Sequence, residues 1–329
     1  MKKKIAINGF GRIGRAVFRI LSNHPSFDVV AINDLADDKT MAHLLKYDSI
    51  HGIADGAISL NENTLIFKDQ NPILFHEKEI NQLPWKSLSV DIVLEATGHF
   101  LTKEKASQHL VSGAKKVVLS APPKDNEIKT IVIGVNDNVL STDDTIISNA
   151  SCTTNNAAPM LEVLNKAFGV ESAYITTVHS YTSDQRLQDA PHSDLRRARA
   201  AAVSIIPTTT GAAKALSKIF PNLEGKLGGG GIRVPVPDGS LTDITCRLHT
   251  AVTVEDVNRA FQKAAENDLK GILQYCNEPI VSVDVIGNTH SCVFDSELTS
   301  IVGDMVKVVG WYDNEIGYSN RLVELLEKL

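Results

Sequence analysis

The sequence predicts an α/β protein of two domains: a Rossmann-type, doubly wound nucleotide-binding domain, then an α+β catalytic domain on a largely antiparallel sheet. Three observations predict it. A short apolar run enters a glycine turn and then a helical pattern within the first 21 residues. Strand-like and helix-like runs alternate from there to residue 150, which implies parallel strands with helical crossovers. Beyond residue 150 the strands lengthen and alternate in polarity, as in an antiparallel sheet with one wet face. A chain of 329 residues exceeds one ordinary core and suits two. We place the domains at 1–150 and 151–315, followed by a terminal helix over 316–329.

Residues 4–8 (KIAIN) form the first expected strand. Gly9, Gly11 and Gly14 follow in G-x-G-x-x-G spacing, and residues 15–21 continue as a helix. The glycines permit a tight turn, close approach of a pyrophosphate and close helix–strand packing, while the helix start offers N–H groups to phosphate. A second strand over 28–33 ends on Asp34, 20 residues after Gly14, where a carboxylate would accept from an adenosine ribose and repel a 2′-phosphate. The expected cofactor is NAD. Further strands are expected at 91–95, 116–120, 130–134 and 145–148, with a helix over 103–113. Ligands of such sheets bind beyond the carboxyl ends of the strands, which makes Thr97 and Ser120 candidates for the cofactor wall.

Composition narrows the function. With 43% apolar and 22% charged residues the chain reads as globular, and a net charge of −6 disfavours nucleic acid or an anionic membrane as main partner. No run approaches the roughly 18 apolar residues of a membrane span. The lysines at the start are followed too soon by Asn8, Gly9 and Gly11 for a secretory leader. Four scattered cysteines, with no C-x-x-C pair, suggest reduced thiols, no metal site and a cytoplasmic location.

One cysteine stands out. In "SNASCTTNN" (148–156) Cys152 falls where a strand gives way to a helix running to 168, with Ser151 suited to cap it. A lone cysteine is usually a buried filler, but its neighbours here are polar. At a helix start the thiol pKa should fall and the orphan N–H groups could hold an oxyanion. A cysteine nucleophile needs a base. His179 closes an alternating run over 172–179 and precedes a polar loop, but spacing alone does not choose among the ten histidines. In the second half, strands are expected at 241–248, 280–286 and 305–311 and a helix at 254–266. Leu322, Leu325, Leu326 and Leu329 share one face of the terminal helix.

Long motifs in order, "NGFGRIGR", "SNASCTTNN", "TTVHSYTSDQRLQDAPHSDLRRARAAAVSIIPTTTGAAKA", "RVPVPDGS" and "WYDNEIGYSNR", resemble phosphorylating glyceraldehyde-3-phosphate dehydrogenase from the first strand to the last helix. The resemblance implies Cys152 as nucleophile and His179 as acid and base, acting on glyceraldehyde 3-phosphate, NAD and inorganic phosphate. It assigns the substrate phosphate to Thr182 and Arg233, and inorganic phosphate to Ser151, Thr153, Arg197, Thr210 and Gly211. Cofactor contacts carried over are Arg12, Ile13, Asp34, Lys78, Ser120 and Asn314, the last holding the nicotinamide amide. It also implies a homotetramer, with the loop from 181 to 202 against a neighbour, and a terminal helix that returns to the nucleotide domain. Two departures are plain. Asn156 stands where the family commonly has a second cysteine, and Gly228 to Gly231 form a richer glycine run than usual before Arg233. The related erythrose-4-phosphate dehydrogenases share "NASCTTN", and the intact loop Thr208 to Ala213 favours the phosphorylating enzyme over them.

Overall fold

The glycine turn sets the start of the fold. β1 (Lys3–Asn8) enters it and α1 (Arg12–Leu21) leaves it. Gly9 lies at φ +97°, a conformation in which side chains are strained, and a Cβ there would sit 2.7 Å from the Ala96 carbonyl carbon. A Cβ on Gly14 would meet the Gly9 oxygen at 2.1 Å, so strand and helix cross this closely only without one. The computed structural model describes residues 2–329. They form two compact units, one of residues 2–131, 138–150 and 319–329, the other of 132–137 and 151–318.

In the first unit β1 and α1 are followed by β2 (Phe27–Asn33), α2 (Asp38–Lys46) and a small hairpin, β3 (Tyr47–Asp48) and β4 (Gly52–Ile53). Next come β5 (Ile58–Asn61), β6 (Thr64–Phe67), β7 (Ile73–Phe75), α3 (Trp85–Leu88), β8 (Ile92–Glu95), α4 (Lys103–Val111), β9 (Lys116–Leu119), β10 (Lys129–Thr130) and β11 (Ile146–Ser148). The sheet runs β10-β11-β9-β8-β1-β2-β7-β6-β5. Pairing is parallel from β10 to β7 and antiparallel only at β7-β6-β5. Because β1 lies between β2 and β8, the winding reverses there, and a ligand crevice opens at the carboxyl ends of these strands. Ile5, Ile7, Ile32, Val93, Leu94, Val117 and Val118 are buried, as strands covered on both faces require.

The strand expected over 130–134 stops at Thr130. The Val132 N–H bonds Asn136 Oδ1 (2.7 Å) and the Gly134 N–H bonds Asp137 Oδ1 (2.8 Å), so side chains take the donors a ladder would need.

The second unit holds α5 (Cys152–Phe168), β12 (Val170–Ser180), β13 (Ile206–Thr208), α6 (Ala212–Ile219), β14 (Leu227–Val234), β15 (Ser240–Leu248), α7 (Val254–Glu266), β16 (Leu273–Cys276), β17 (Cys292–Val302) and β18 (Met305–Tyr312). The last helix, α8 (Ile316–Lys328), counts with the first unit from residue 319. The sheet order is β13-β14-β12-β15-β18-β17-β16. It is antiparallel except where β12 pairs β14 and β16 pairs β17. α5 is buried along most of its length and presses on β18, where a Cβ on Gly310 would lie 2.7 Å from Met160 Sδ. α7 starts on a Thr253–Asp256 capping box and stacks Phe261 on Phe294 of β17, ring centroids 3.8 Å apart.

Residues 282–285 form a 3₁₀ turn, not the strand their alternation suggests. Asp284 accepts the Val281 N–H at 2.8 Å, Val285 is buried, and Val281 and Val283 face solvent. The glycine run before Arg233 also has a packing reason. A Cβ on Gly229 of β14 would meet the Ile175 oxygen at 2.8 Å and Ala213 of α6 at 3.3 Å.

Candidate active site

In the first unit the carboxyl ends of β1, β2 and β8 border a cleft of about 630 Å³ lined by Asn8, Gly9, Gly11, Asn33, Asp34, Lys78 and Thr97, among others. Gly11 caps α1 without a side-chain bond, and a Cβ added there would meet nothing within 4 Å. This is the open cradle a pyrophosphate backbone contact needs, and the first turn of α1 carries no acidic residue to oppose an anion. Arg12, Ile13 and Gly14 form that turn. Arg12 is bound to Asp48 by two hydrogen bonds of 2.8 and 3.1 Å, so its charge is already paired. Asp34 stands at the end of β2, its carboxylate accepting from the Phe10 N–H (2.7 Å) and the Ala36 N–H (3.0 Å). That fixes an acceptor on the lip of the cleft, where a ribose would be read. Ser120 follows β9 and bonds the Glu95 carbonyl through its N–H (2.9 Å), outside the lining of the cleft. The donor set, the bare Gly11 and Asp34 fit an adenine dinucleotide.

Beneath the cleft lies a buried polar network that the sequence reading missed. Glu95 accepts from Asn8 Nδ2 (2.6 Å), from the Thr97 N–H (2.8 Å) and hydroxyl (2.5 Å), and from His109 Nε2 (3.1 Å). The tautomer follows from the other ring nitrogen, because Trp85 Nε1 donates to His109 Nδ1 at 3.0 Å. Asn33 Nδ2 in turn donates to Asn8 Oδ1 at 2.7 Å. The strand ends and Thr97 are thereby tied to one carboxylate.

In the second unit Ser151 caps α5, accepting the Thr154 N–H at 3.1 Å, and Cys152 is the first helical residue. Its Sγ lies 3.4 Å from His179 Nε2, so the structure selects His179 from the ten histidines. For the imidazole to take the thiol proton its Nε2 must carry the lone pair, which puts the ring proton on Nδ1. The Ser180 carbonyl, 2.8 Å away, accepts it there. Arg233 Nη1 donates to the same carbonyl (2.8 Å) and lies 2.5 Å from Nδ1, so the ring serves one neighbour at a time: protonated at Nδ1 it donates to Ser180, protonated at Nε2 it accepts from Arg233. Burial and the Arg233 charge hold His179 down to about 3, well below the usual histidine range.

The thiol behaves differently from the helix-start expectation. Burial pushes Cys152 up, and the Arg233 charge and the hydrogen bonds from Thr153 pull it only part of the way back. Burial and the Arg233 charge thus oppose a charge on His179, while on the thiol burial and Arg233 act in opposite directions.

The residues expected to hold phosphate differ in how far they are already engaged. Arg233 has Nε and Nη2 without a hydrogen bond among the described residues. Thr182 is half-buried, its N–H on Gln185 Oε1 (3.3 Å). Arg197 is held by Asp184 and by the Thr208 hydroxyl (2.9 Å). Thr210 Oγ1 accepts the Ala212 N–H (3.2 Å), and Gly211 caps α6 with open space where a Cβ would be. Thr153 shares its hydroxyl with Tyr312 Oη (2.9 Å). Asn156, in place of a second cysteine, is buried and bonds the carbonyls of Ser291 and Trp311 (both 3.2 Å).

Tyr312 was not singled out from the sequence. It is buried, edge-on to His179 with ring centroids 5.9 Å apart, and also bonds Thr177 (3.1 Å). Its place in "WYDNE" was the available signal.

Comparison with known proteins gives the family. Residues 3–103 match the family model described as "Glyceraldehyde 3-phosphate dehydrogenase, NAD binding domain", and residues 151–314 match its "C-terminal domain". The chain belongs to the glyceraldehyde 3-phosphate dehydrogenase family. It is 54% identical over 327 residues to glyceraldehyde-3-phosphate dehydrogenase of Geobacillus stearothermophilus, covering 99% of this chain and 97% of the relative. It is 55% identical over 329 residues to that of Thermotoga maritima, covering 99% and 98%. Glyceraldehyde-3-phosphate dehydrogenase 1 of Bacillus subtilis is 52% identical over 327 residues, covering 99% and 97%. As a member of this family the chain is an NAD-dependent oxidoreductase acting on an aldehyde, and NAD is its cofactor. No helix among the described residues is long and apolar enough to cross a membrane.

Proposed function

We propose that this protein converts D-glyceraldehyde 3-phosphate to 1,3-bisphosphoglycerate with NAD+ and inorganic phosphate, as a cytoplasmic glycolytic enzyme assembled as a homotetramer. The contact of Cys152 Sγ with His179 Nε2 at the start of α5 carries the reading. Cys152 attacks the aldehyde carbon as His179 takes the thiol proton and passes it to the former carbonyl oxygen, which gives the hemithioacetal and leaves His179 neutral. NAD, when bound, would supply the hydride acceptor; the role of His179 at this stage is to take the hydroxyl proton, which leaves a thioester on Cys152. The thioester left on Cys152 retains the energy of oxidation. Inorganic phosphate then attacks the thioester, the C–S bond breaks, the sulfur recovers its proton from His179, and the acyl phosphate leaves with the proton of the attacking phosphate released to solvent.

Each phosphate needs its own cationic site, and the side chains supply two. Arg233, with two nitrogens free, and Thr182 suit the substrate phosphate. Ser151, Thr153, Arg197, Thr210 and the bare cap Gly211 suit the attacking phosphate. There the incoming anion has to displace Asp184 from Arg197. Asn314 holds the nicotinamide amide in this reading, with Asp34 and Lys78 at the adenosine end.

The test is NADH formation from glyceraldehyde 3-phosphate or erythrose 4-phosphate, with and without inorganic phosphate, on wild type and Cys152→Ser. We expect phosphate-dependent oxidation of the triose that disappears in the variant. Phosphate-independent oxidation of the tetrose would assign the sister activity instead.

A further inference from the structure

We infer that Ser180 and Ser240 are positioning residues that decide which end of the Asn314 amide faces the cofactor. The inference rests on the reading of Asn314 as the nicotinamide contact. Asn314 is 6% exposed, and its Oδ1 lies 2.9 Å from Ser180 Oγ and 2.7 Å from Ser240 Oγ. Both serines are buried, so both hydroxyl protons must find an acceptor. Ser240 Oγ already receives the Ser180 N–H at 3.1 Å, which leaves its proton for Asn314. Two donors converging on one amide admit only its oxygen, because a flipped amide would set NH₂ against both and strand two buried protons.

The consequence is a fixed donor. With Oδ1 held by the serines, Nδ2 points away from them and bonds no acceptor among the described residues, and it is not among the buried orphan atoms. It is offered to a ligand as an N–H donor, the partner a carboxamide oxygen needs. Ser180 joins this anchor to the catalytic pair, because its carbonyl takes the His179 Nδ1 proton and a bond from Arg233. A single residue at the end of β12 thus touches His179 through its backbone carbonyl and the Asn314 amide through its hydroxyl.

The experiment is calorimetric binding of NAD and of ADP-ribose, the same nucleotide without nicotinamide, to the full-length protein. Variants are Ser240→Ala, Ser180→Ala, Asn314→Ala and Ser240→Ala with Asn314→Ala. We expect either serine variant to bind NAD about threefold to tenfold more weakly, the worth of one hydrogen bond, and ADP-ribose unchanged. In the Asn314→Ala background the serine change should cost nothing further. Ser240→Ala strands the Ser180 N–H, so if it fails to fold, Ser180→Ala, which keeps that backbone bond, decides the matter. Equal losses for NAD and ADP-ribose, an unchanged NAD affinity, or a serine effect that persists without Asn314 would each overturn the inference. If Asn314→Ala itself leaves NAD affinity intact, the Asn314 reading fails first, and the inference with it.

Discussion

Replacing Arg233 by glutamine tests what holds the His179 pKa down beside Cys152. Arg233 Nη1 lies 2.5 Å from His179 Nδ1, and its charge opposes a second positive charge on the ring. A guanidinium spreads its charge, so the centres are roughly 5 Å apart, and at an effective dielectric of about 20 the repulsion is about 3 kcal/mol. That corresponds to about 2 pKa units. The whole drop, from 6.5 to about 3, has burial as its largest cause, with Arg233 second, which caps the Arg233 share at about the same figure. Arg233→Gln keeps hydrogen-bond donors near the Ser180 carbonyl and removes only the charge.

We expect the His179 pKa, followed by NMR of ring-labelled protein without ligands, to rise by about 1 to 2 units. The Cys152 alkylation profile should move to higher pH, because Arg233 pulls that thiol down. Stability moves with the same sign. His179 has a folded value below its unfolded one, so it contributes stability above pH 6.5 that is lost as pH falls through about 3. In Arg233→Gln that acid loss should shrink. A His179 pKa that stays put or falls in the variant would refute the electrostatic account and leave burial as the sole cause.

Three further outcomes follow from the same geometry. Glu95→Gln turns an NH₂ toward a cluster of four donors, so we expect about 2 to 5 kcal/mol less stability in urea unfolding, with NAD affinity reduced through Thr97. Asp238 is pushed up to about 8 by burial beside Asp313 and Glu315, so it contributes stability below pH 3.8 that is lost as pH rises through about 8. Wild-type urea midpoints should fall between roughly pH 5 and roughly pH 9, and Asp238→Asn should flatten that decline. Gly11→Ala should fold normally and bind NAD poorly, whereas Gly14→Ala, with its Cβ 2.1 Å from a carbonyl, should lower the melting temperature even without NAD.

The local features were legible because they are local. G-x-G-x-x-G, the Ser151 cap, the Cys152 helix start and the Val254–Glu266 helix are each set by residues within one or two turns of each other. The strand expected over 280–286 failed for an instructive reason. Alternating polarity reports which side chains could share a face, not whether a neighbouring strand supplies hydrogen bonds, and Asp284 supplied them to its own turn instead. β5 to β7 are short and half exposed, with no continuous apolar run to mark them.

What the sequence could not show is the set of pairings made across long stretches of chain. The thiol was expected to be acidified by the helix start. That effect acts within one turn, whereas the burial that outweighs it comes from elements brought in from far along the chain. Ser180 and Asn314 are 134 residues apart, and Arg233 and His179 are 54 apart. No period or motif spacing links such pairs; the parallel register of β12 with β14 puts His179 opposite Arg233, and the sheet order β12-β15-β18 brings the ends of β12 and β18 together. The family was therefore readable from motifs, but the contacts and burial around Cys152 were not. The first depends on which residues are present, the second on what the fold packs against them.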